Sequence, residues 1–206
     1  METVKHGIAT YGNVSLTADN ITIKSSEYDG SGAIETWDQG AKVKLEAKED
    51  IVITGAVGGK VRQAAQSEII MKAKNVTVTS AVVKGSDAFS VDGAVRNADI
   101  EATGKVFIKA TGNLSGLGTV NSLEAGPYVE NNIKANEVEI VSEGSYGVYA
   151  DNHNVQIADD KNHFTIDAET ISITSKKDGI SLLNGARGKV DGFDTLSIQS
   201  EERGIY

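Results

Sequence analysis

Metal-ligating side chains gather in one stretch near residue 160. His153 and His163 stand at either end of a turn that also contains Asp159 and Asp160, and imidazole together with carboxylate is a donor set for a divalent transition metal. The spacing matches no two-histidine helical motif, and no third ligand is evident. We therefore predict a solvated insertion loop here, with no metal site and no cofactor.

Acidic residues are numerous, but they are not paired for catalysis. The chain has 29 Asp and Glu residues and no Cys, so it has no cysteine nucleophile. Glycoside hydrolysis requires two carboxylates at a defined separation, and no such pair stands out. At the outward positions of the first strand of the repeat described below, the charged residues are Glu35 and Arg62, for which an ion pair on a solvated face is the simpler account. We predict that the chain is not an enzyme.

Aromatic residues indicate binding more clearly than any group indicates catalysis. Tyr11 and Trp37 occupy equivalent sites in adjacent repeat units, and three further tyrosines lie near the units with the longest turns. Aromatic faces suit sugar rings and protein hot spots; for Tyr11 and Trp37 the alternative is that they stack on one another and seal a corner. The predicted ligand-binding residues are Trp37, Tyr11, Tyr128, Tyr146, Tyr149, Asn152 and His153.

Charge and hydropathy narrow the possible partners. A net charge of −9 over 206 residues repels phosphate backbones and anionic lipid, so we expect no nucleic acid partner. No run of about 18 apolar residues is present, and the first residues lack the basic and apolar regions of an export signal. We expect no membrane insertion by this segment and a monomer in dilute solution. Repeat-like sequence begins directly after Met1, which suggests a segment of a longer protein.

An internal repeat organises these residues. One phrase occurs seven times: apolar-x-Ala, a step of two or three residues, then apolar-x-apolar-x-small, as in VSLTADNITIKS from Val14 and FTIDAETISITS from Phe164. The small hinge residues are Ala18, Ala47, Ala73, Ala102, Ala135, Ala168 and Gly192. The second apolar run of each phrase begins at Ile21, Ile51, Val76, Val106, Val138, Ile171 and Leu196. These starts are roughly 29 residues apart on average, a period typical of solenoids.

Each phrase alternates apolar with polar residues at period two, which predicts short strands with one buried face. Three such strands per unit are too few for a propeller blade, and equivalent strands of successive units must instead pair in parallel. We predict one all-β domain over 1–206, a single-stranded parallel β-helix of about seven coils with three short strands per coil. The inward column of the first strand is predicted to contain Ile8, Ile34, Val61, Phe89, Val120, Val148, Ile180 and Ile205.

Five short phrases carry a resemblance to a known family. GIATYG, GAIETW, YGVYADN, DGISLLNG and RGIY, each followed by the x-Ala-x-x-apolar strand pair, resemble the passenger region of Gram-negative autotransporter adhesins. The resemblance implies a right-handed β-helix, export through and anchoring by a C-terminal outer-membrane barrel outside these 206 residues, and display on the bacterial surface. It also implies a role in virulence or biofilm formation.

The sequence leaves three functions open. The first is a surface-displayed adhesin segment that attaches to a protein or glycan of host or neighbouring cells. The second is a structural spacer or self-associating scaffold, because an acidic rod with strand-rich flanks can pair side by side once its charge is screened. The third is a carbohydrate-active β-helix enzyme.

Overall fold

The computed structural model describes residues 7–25, 32–36, 40–57, 68–80, 93–112, 115–121, 130–152 and 163–206, with the side chains of 119–121 excepted. All regular secondary structure in these ranges is β-strand, and every strand pairing is parallel. The predicted all-β parallel β-helix is therefore confirmed. The handedness implied by the resemblance stays a prediction.

The strands form three faces, and a complete coil contains one strand from each face. The first face contains β1 (Ile8–Thr10), β4 (Ile34–Thr36), β9 (Gly93–Val95), β12 (Ser115–Asn121), β14 (Val148–Asn152) and β16 (Ile180–Leu183). The second contains β2 (Val14–Ala18), β5 (Lys42–Ala47), β7 (Glu68–Ala73), β10 (Ala98–Ala102), the first halves of β13 (Asn131–Ser142) and β15 (Phe164–Ser175), and β17 (Gly188–Asp191). The third contains β3 (Ile21–Lys24), β6 (Asp50–Thr54), β8 (Asn75–Ser80), β11 (Lys105–Ala110), the second halves of β13 and β15, and β18 (Thr195–Ser200).

Equivalent apolar residues of the third face stack in the predicted column. The strand register aligns Ile21 with Ile51, then Val76, Val106, Val138, Ile171 and Leu196. All members of this column except Leu196 are buried. Burial of a side chain of this size contributes roughly 1.5–3 kcal/mol, so the column is a main source of stability.

The hinge alanines mark the bend between the second and third faces. Ala18 pairs with Ala47, Ala73 with Ala102 and Ala135 with Ala168. In β13 the buried positions alternate up to Ala135 and resume at Val138, with Asn136 and Glu137 both exposed between them. This change of phase turns the chain around the core, and the small alanine allows the two faces to approach each other.

The predicted inward column of the first face is wrong in three places. Val57 bridges Ile34 and Val95, and Leu117 pairs with Val95 and Val148, so Val57, Val95 and Leu117 occupy the column. Val61 and Phe89, which were predicted there, lie outside the described residues. Val120 lies three residues beyond Leu117, opposite Asp151. In these units more than one apolar residue follows a Gly-rich or polar turn. The sequence therefore offered several candidates for the column residue of each coil.

The number of complete turns is lower than predicted. All three faces form continuous sheets over about four turns, from β9 onward. Before β9, the first face is a two-stranded sheet of β1 and β4 that continues through isolated bridges at Val57. About seven coils were predicted; the second and third faces each align seven strands, and the first face is the incomplete one.

Candidate functional site

Two of the predicted tyrosines form a stacked pair beside β14. Tyr146 lies in the turn before β14, and Tyr149 is the half-buried residue between the buried Val148 and Ala150. Because alternate residues of a strand point to opposite sides, Tyr149 points away from the core and meets Tyr146. The ring centroids are 4.9 Å apart, with an angle of 29° between the ring planes. The two rings form one aromatic surface of the kind that binds sugars and proteins.

A cation from the next coil completes one side of this pair. The backbone N–H of Lys177 donates to the carbonyl of Ser145 at 3.0 Å, which places Lys177 beside Tyr146. Its Nζ lies 4.9 Å from the centroid of the Tyr146 ring, within the range of a cation–π interaction. Lys177 was not among the predicted binding residues, because its contact with Tyr146 depends on the register between two coils.

Hydrogen-bonding groups lie next to Tyr149, the other ring of the stacked pair. The Tyr149 hydroxyl donates to Oδ2 of Asp151 at 3.2 Å, and Nδ2 of Asn184 donates to Oδ1 of the same carboxylate at 2.7 Å. Asn184 lies in the turn after β16 with a φ of 53°, a conformation that asparagine tolerates better than most residues. We define the tyrosine patch as Tyr146, Tyr149, Asp151, Lys177 and Asn184.

The other predicted binding residues do not all lie at this patch. Asn152 follows Asp151 at the end of β14, and its Oδ1 atom is buried without a hydrogen-bond partner. Tyr11 is 69% exposed at the end of β1. Five coil steps separate β1 from β14, which is roughly 24 Å at the usual strand spacing, so Tyr11 belongs to a different surface. Trp37, Tyr128 and His153 lie outside the described residues.

His163 is buried, which corrects its prediction as a solvated loop residue. Its side chain is 3% exposed, and its Nδ1 accepts a hydrogen bond from the backbone N–H of Arg187 at 3.0 Å. Burial lowers the pKa of His163, since desolvation penalises the charged imidazolium. Within the described ranges, no group of three His, Cys, Asp or Glu residues is placed to hold a metal ion.

Glu35 is also buried, which contradicts the predicted ion pair on a solvated face. Its side chain is 1% exposed, and Oε1 accepts a hydrogen bond from the backbone N–H of Gly32 at 2.6 Å. Arg62, its predicted partner, lies outside the described residues. The hydrogen bond to Gly32 gives Glu35 a role in holding the chain as it enters β4.

A second surface feature lies on the outer side of the second face. Register places the residues that precede the hinge alanines directly opposite one another, and their charges alternate in sign from one coil to the next. The members of this charge ladder are Glu46, Lys72, Glu101, Lys134 and Asp167. The charge ladder was not predicted, although its signal, the residue before each hinge alanine, is present in the repeat.

The centre of the charge ladder is an ion pair. Nζ of Lys72 lies 2.6 Å from Oε2 of Glu101. The pair raises the pKa of Lys72 and lowers the pKa of Glu101, mainly through the hydrogen bond between the two side chains. A shallow hollow of about 440 Å³ lies over the same coils, lined in part by Ile70, Asp99 and Asn132.

The chain matches no family model, no curated protein and no solved structure. In the part of the chain that the structure describes, no helix is long and apolar enough to cross a membrane.

Proposed function

We propose that this chain is a β-helical segment of a surface-displayed adhesin that attaches to a protein or glycan on host or neighbouring cells. The tyrosine patch is the observation that carries the proposal. It combines two stacked rings, an amine, a carboxylate and an amide on the outer side of adjacent coils. Rings of this kind bury large area at low entropic cost, while the polar groups orient a ligand.

Two of the described carboxylates are unsuited to act as general acids. Glu101 and Asp191 are each paired with a lysine, and hydrogen bonds to these lysines lower the pKa of both carboxylic acids. A general acid in glycoside hydrolysis requires the opposite shift. The proposal gives this segment no catalytic role, and it attaches the segment to the bacterial surface through parts of a longer protein.

The test measures binding of the labelled chain to epithelial cells, to immobilised matrix proteins and to a glycan array. Tyr146→Ala and Tyr149→Ala are expected to weaken saturable binding by roughly tenfold or more, the range of an aromatic hot spot. Tyr11→Ala is the matched control, because this tyrosine is exposed on a distant coil. Circular dichroism melting establishes that each variant is folded. Equal losses for Tyr11 and the patch, or no saturable binding at all, would contradict the proposal.

A second candidate function is a spacer or self-associating scaffold, and the charge ladder favours it. The lateral surface of the second face carries both charge signs in alternation, so it does not share the repulsion expected from the overall charge of −9. Beads coated with the chain distinguish the two functions. Clumping of the beads without binding to cells would support the scaffold, and cell binding without clumping would support the adhesin.

A further inference from the structure

The order of charges along the second face has a symmetry of its own. The first four members of the charge ladder are Glu46, Lys72, Glu101 and Lys134, two negative and two positive charges on four successive coils. A row that reads minus, plus, minus, plus becomes plus, minus, plus, minus when its direction is reversed. The row is therefore complementary to a reversed copy of itself.

A two-fold axis between the levels of Lys72 and Glu101 brings these complementary rows face to face. Glu46 of one copy then lies opposite Lys134 of the other, and Lys72 lies opposite Glu101. Each pair occurs twice, which gives four ion pairs across the interface. Such an isologous contact closes on itself and produces a dimer.

The neighbouring outward positions accept the same arrangement. The adjacent row reads Lys44, Ile70, Asp99 and Asn132 on the same four coils, and the two-fold places Lys44 opposite Asn132 and Ile70 opposite Asp99. No like charges meet in either row. A partner of the same sequence thus fits both rows at one register.

Other side-by-side arrangements of two copies are less favourable. A parallel pair in register places each charge opposite itself. A parallel pair displaced by one coil brings opposite charges together, but it also places Asp167 opposite Asp191, and such a heterologous contact does not close on itself. Moving the antiparallel axis by one coil, to lie between Glu101 and Lys134, places Glu46 opposite Asp191, which follows Asp167 on the next coil. Like charges in direct opposition are destabilising. The charges therefore specify both the direction and the register of the pair.

We propose that two copies of this chain associate antiparallel through the charge ladder, with the two-fold axis between Lys72 and Glu101. The inference does not depend on the tyrosine patch and holds whether or not the chain binds cells. The contact is made by the ends of the long lysine and glutamate side chains, which project outward from the strands. Exposed ion pairs are weak individually, so the dimer forms at high local concentration, as on a crowded surface.

The proposal predicts an unusual dependence on salt. Repulsion between two chains of charge −9 acts over long distances and is screened near 0.1–0.15 M salt, where the Debye length is about 8–10 Å. Ion pairs in direct contact persist there and weaken toward 1 M salt, where the Debye length is about 3 Å. Dimerisation is expected to be strongest at intermediate salt, measured by sedimentation velocity over a series of protein concentrations.

Two double variants with identical composition test the register. Lys72→Glu with Glu101→Lys keeps both cross-copy pairs, because the exchanged residues face each other. Glu101→Lys with Lys134→Glu places glutamate opposite glutamate and lysine opposite lysine. Within one chain each variant creates two pairs of like-charged neighbours along the ladder, so the two variants are matched in the number of unfavourable neighbour pairs. We expect the first variant to retain the dimer constant within about threefold and the second to weaken it more than about tenfold, the factor for 1.4 kcal/mol.

A chemical measurement on the unaltered chain keeps the test independent of variant folding. Within one copy Glu46 and Lys134 are three coil steps apart, roughly 14 Å, which a zero-length carboxyl–amine cross-linker cannot span. A Glu46–Lys134 cross-link that joins heavy and light isotope-labelled copies supports the proposal. A chain that stays monomeric at millimolar concentration and intermediate salt, equal loss in both double variants, or cross-links confined to other faces would overturn it.

Discussion

Arg203 binds the fully buried carboxylate of Asp178 through two parallel hydrogen bonds. Its Nε donates to Oδ1 at 2.9 Å and its Nη2 to Oδ2 at 3.0 Å. The backbone N–H of Gly179, the residue after Asp178, donates to the carbonyl of Arg203 at 2.9 Å. Asp178 and Arg203 therefore lie in equivalent turns of successive coils. The Arg203 guanidinium also lies 3.5 Å from the centroid of the Tyr206 ring. The last coil is thus joined to the preceding one by a buried charge as well as by its strands.

Arg203→Ala is expected to destabilise the chain by about 2–3 kcal/mol. Removing one partner of a fully buried pair costs roughly 3–5 kcal/mol because it leaves the other charge uncompensated, and a smaller cost is expected here because the Arg203 side chain is half-exposed. Urea unfolding at pH 7 measures the change. Lys176→Ala is the control, because Lys176 pairs with Glu201 across the same two coils with both side chains exposed, and its loss should cost less than about 1 kcal/mol. Equal costs for the two variants would show that Asp178 does not depend on Arg203.

Gly147→Ala is expected to destabilise the turn between the third and first faces by about 1–3 kcal/mol or more, the usual cost of overpacking. A Cβ at Gly147 would lie 2.3 Å from Cγ2 of Ile173 and 2.6 Å from the carbonyl oxygen of Gly179. The side chain could shift, but the carbonyl belongs to the backbone of the next coil. Thermal unfolding followed by circular dichroism measures the effect.

Gly12→Ala provides the control for that substitution. A Cβ at Gly12 would meet no atom within 4 Å, so its melting temperature should stay within a few degrees of the unaltered chain. If Gly147→Ala were equally neutral, the close approach of successive coils at this turn would be wrong.

The second and third faces could be predicted from the sequence because each phrase contains two runs of alternating apolar residues, separated by one small hinge residue. Ala135 and Val138 could be placed from their spacing alone. The first face was harder, since several apolar residues lie close together in its units, and Val61, Phe89 and Val120 fitted the spacing as well as the true column members Val57, Val95 and Leu117. A one-residue error there exchanges the inner and outer sides of a strand. Burial of Glu35 could not be predicted because it depends on what covers the strand, which the period does not encode.

The candidate site was predictable only within one coil. Tyr146 and Tyr149 are three residues apart, and a turn followed by an outward strand position is enough to bring them together. Lys177 is 31 residues after Tyr146, so its contact with the ring depends on exact alignment of two coils of unequal length. The same requirement explains why the charge ladder becomes evident only once the pairing of Lys72 with Glu101 is known.

Ala135→Asp is expected to unfold the chain or to cost more than about 3 kcal/mol. Ala135 is buried between the second and third faces and pairs with Ala168. An aspartate there would bury an unpaired carboxylate, which has a large desolvation cost. Asn136→Asp is the control, since Asn136 is exposed one residue later in the same strand. A melting curve that is the same for both variants would contradict the role of Ala135 as a buried hinge.

The stability of the chain is expected to fall as the pH is lowered through the range in which histidine titrates. Burial lowers the pKa of His163 below its usual 6.5 in the folded chain, against weaker opposite effects of the Glu130 and Asp151 charges, and the positive charge of the Arg187 side chain lowers it slightly further. The unfolded chain therefore binds a proton more readily, and the contribution of neutral His163 to the free energy of unfolding is complete above pH 6.5 and is lost progressively below it.

Urea midpoints at pH 7.5, 6.5, 5.5 and 5.0 measure this loss of stability. His163→Asn retains an acceptor for the Arg187 N–H but cannot titrate, so the decline should become shallower. A His6→Asn, His153→Asn variant should keep the full decline; if it removed the decline and His163→Asn did not, another histidine would be responsible.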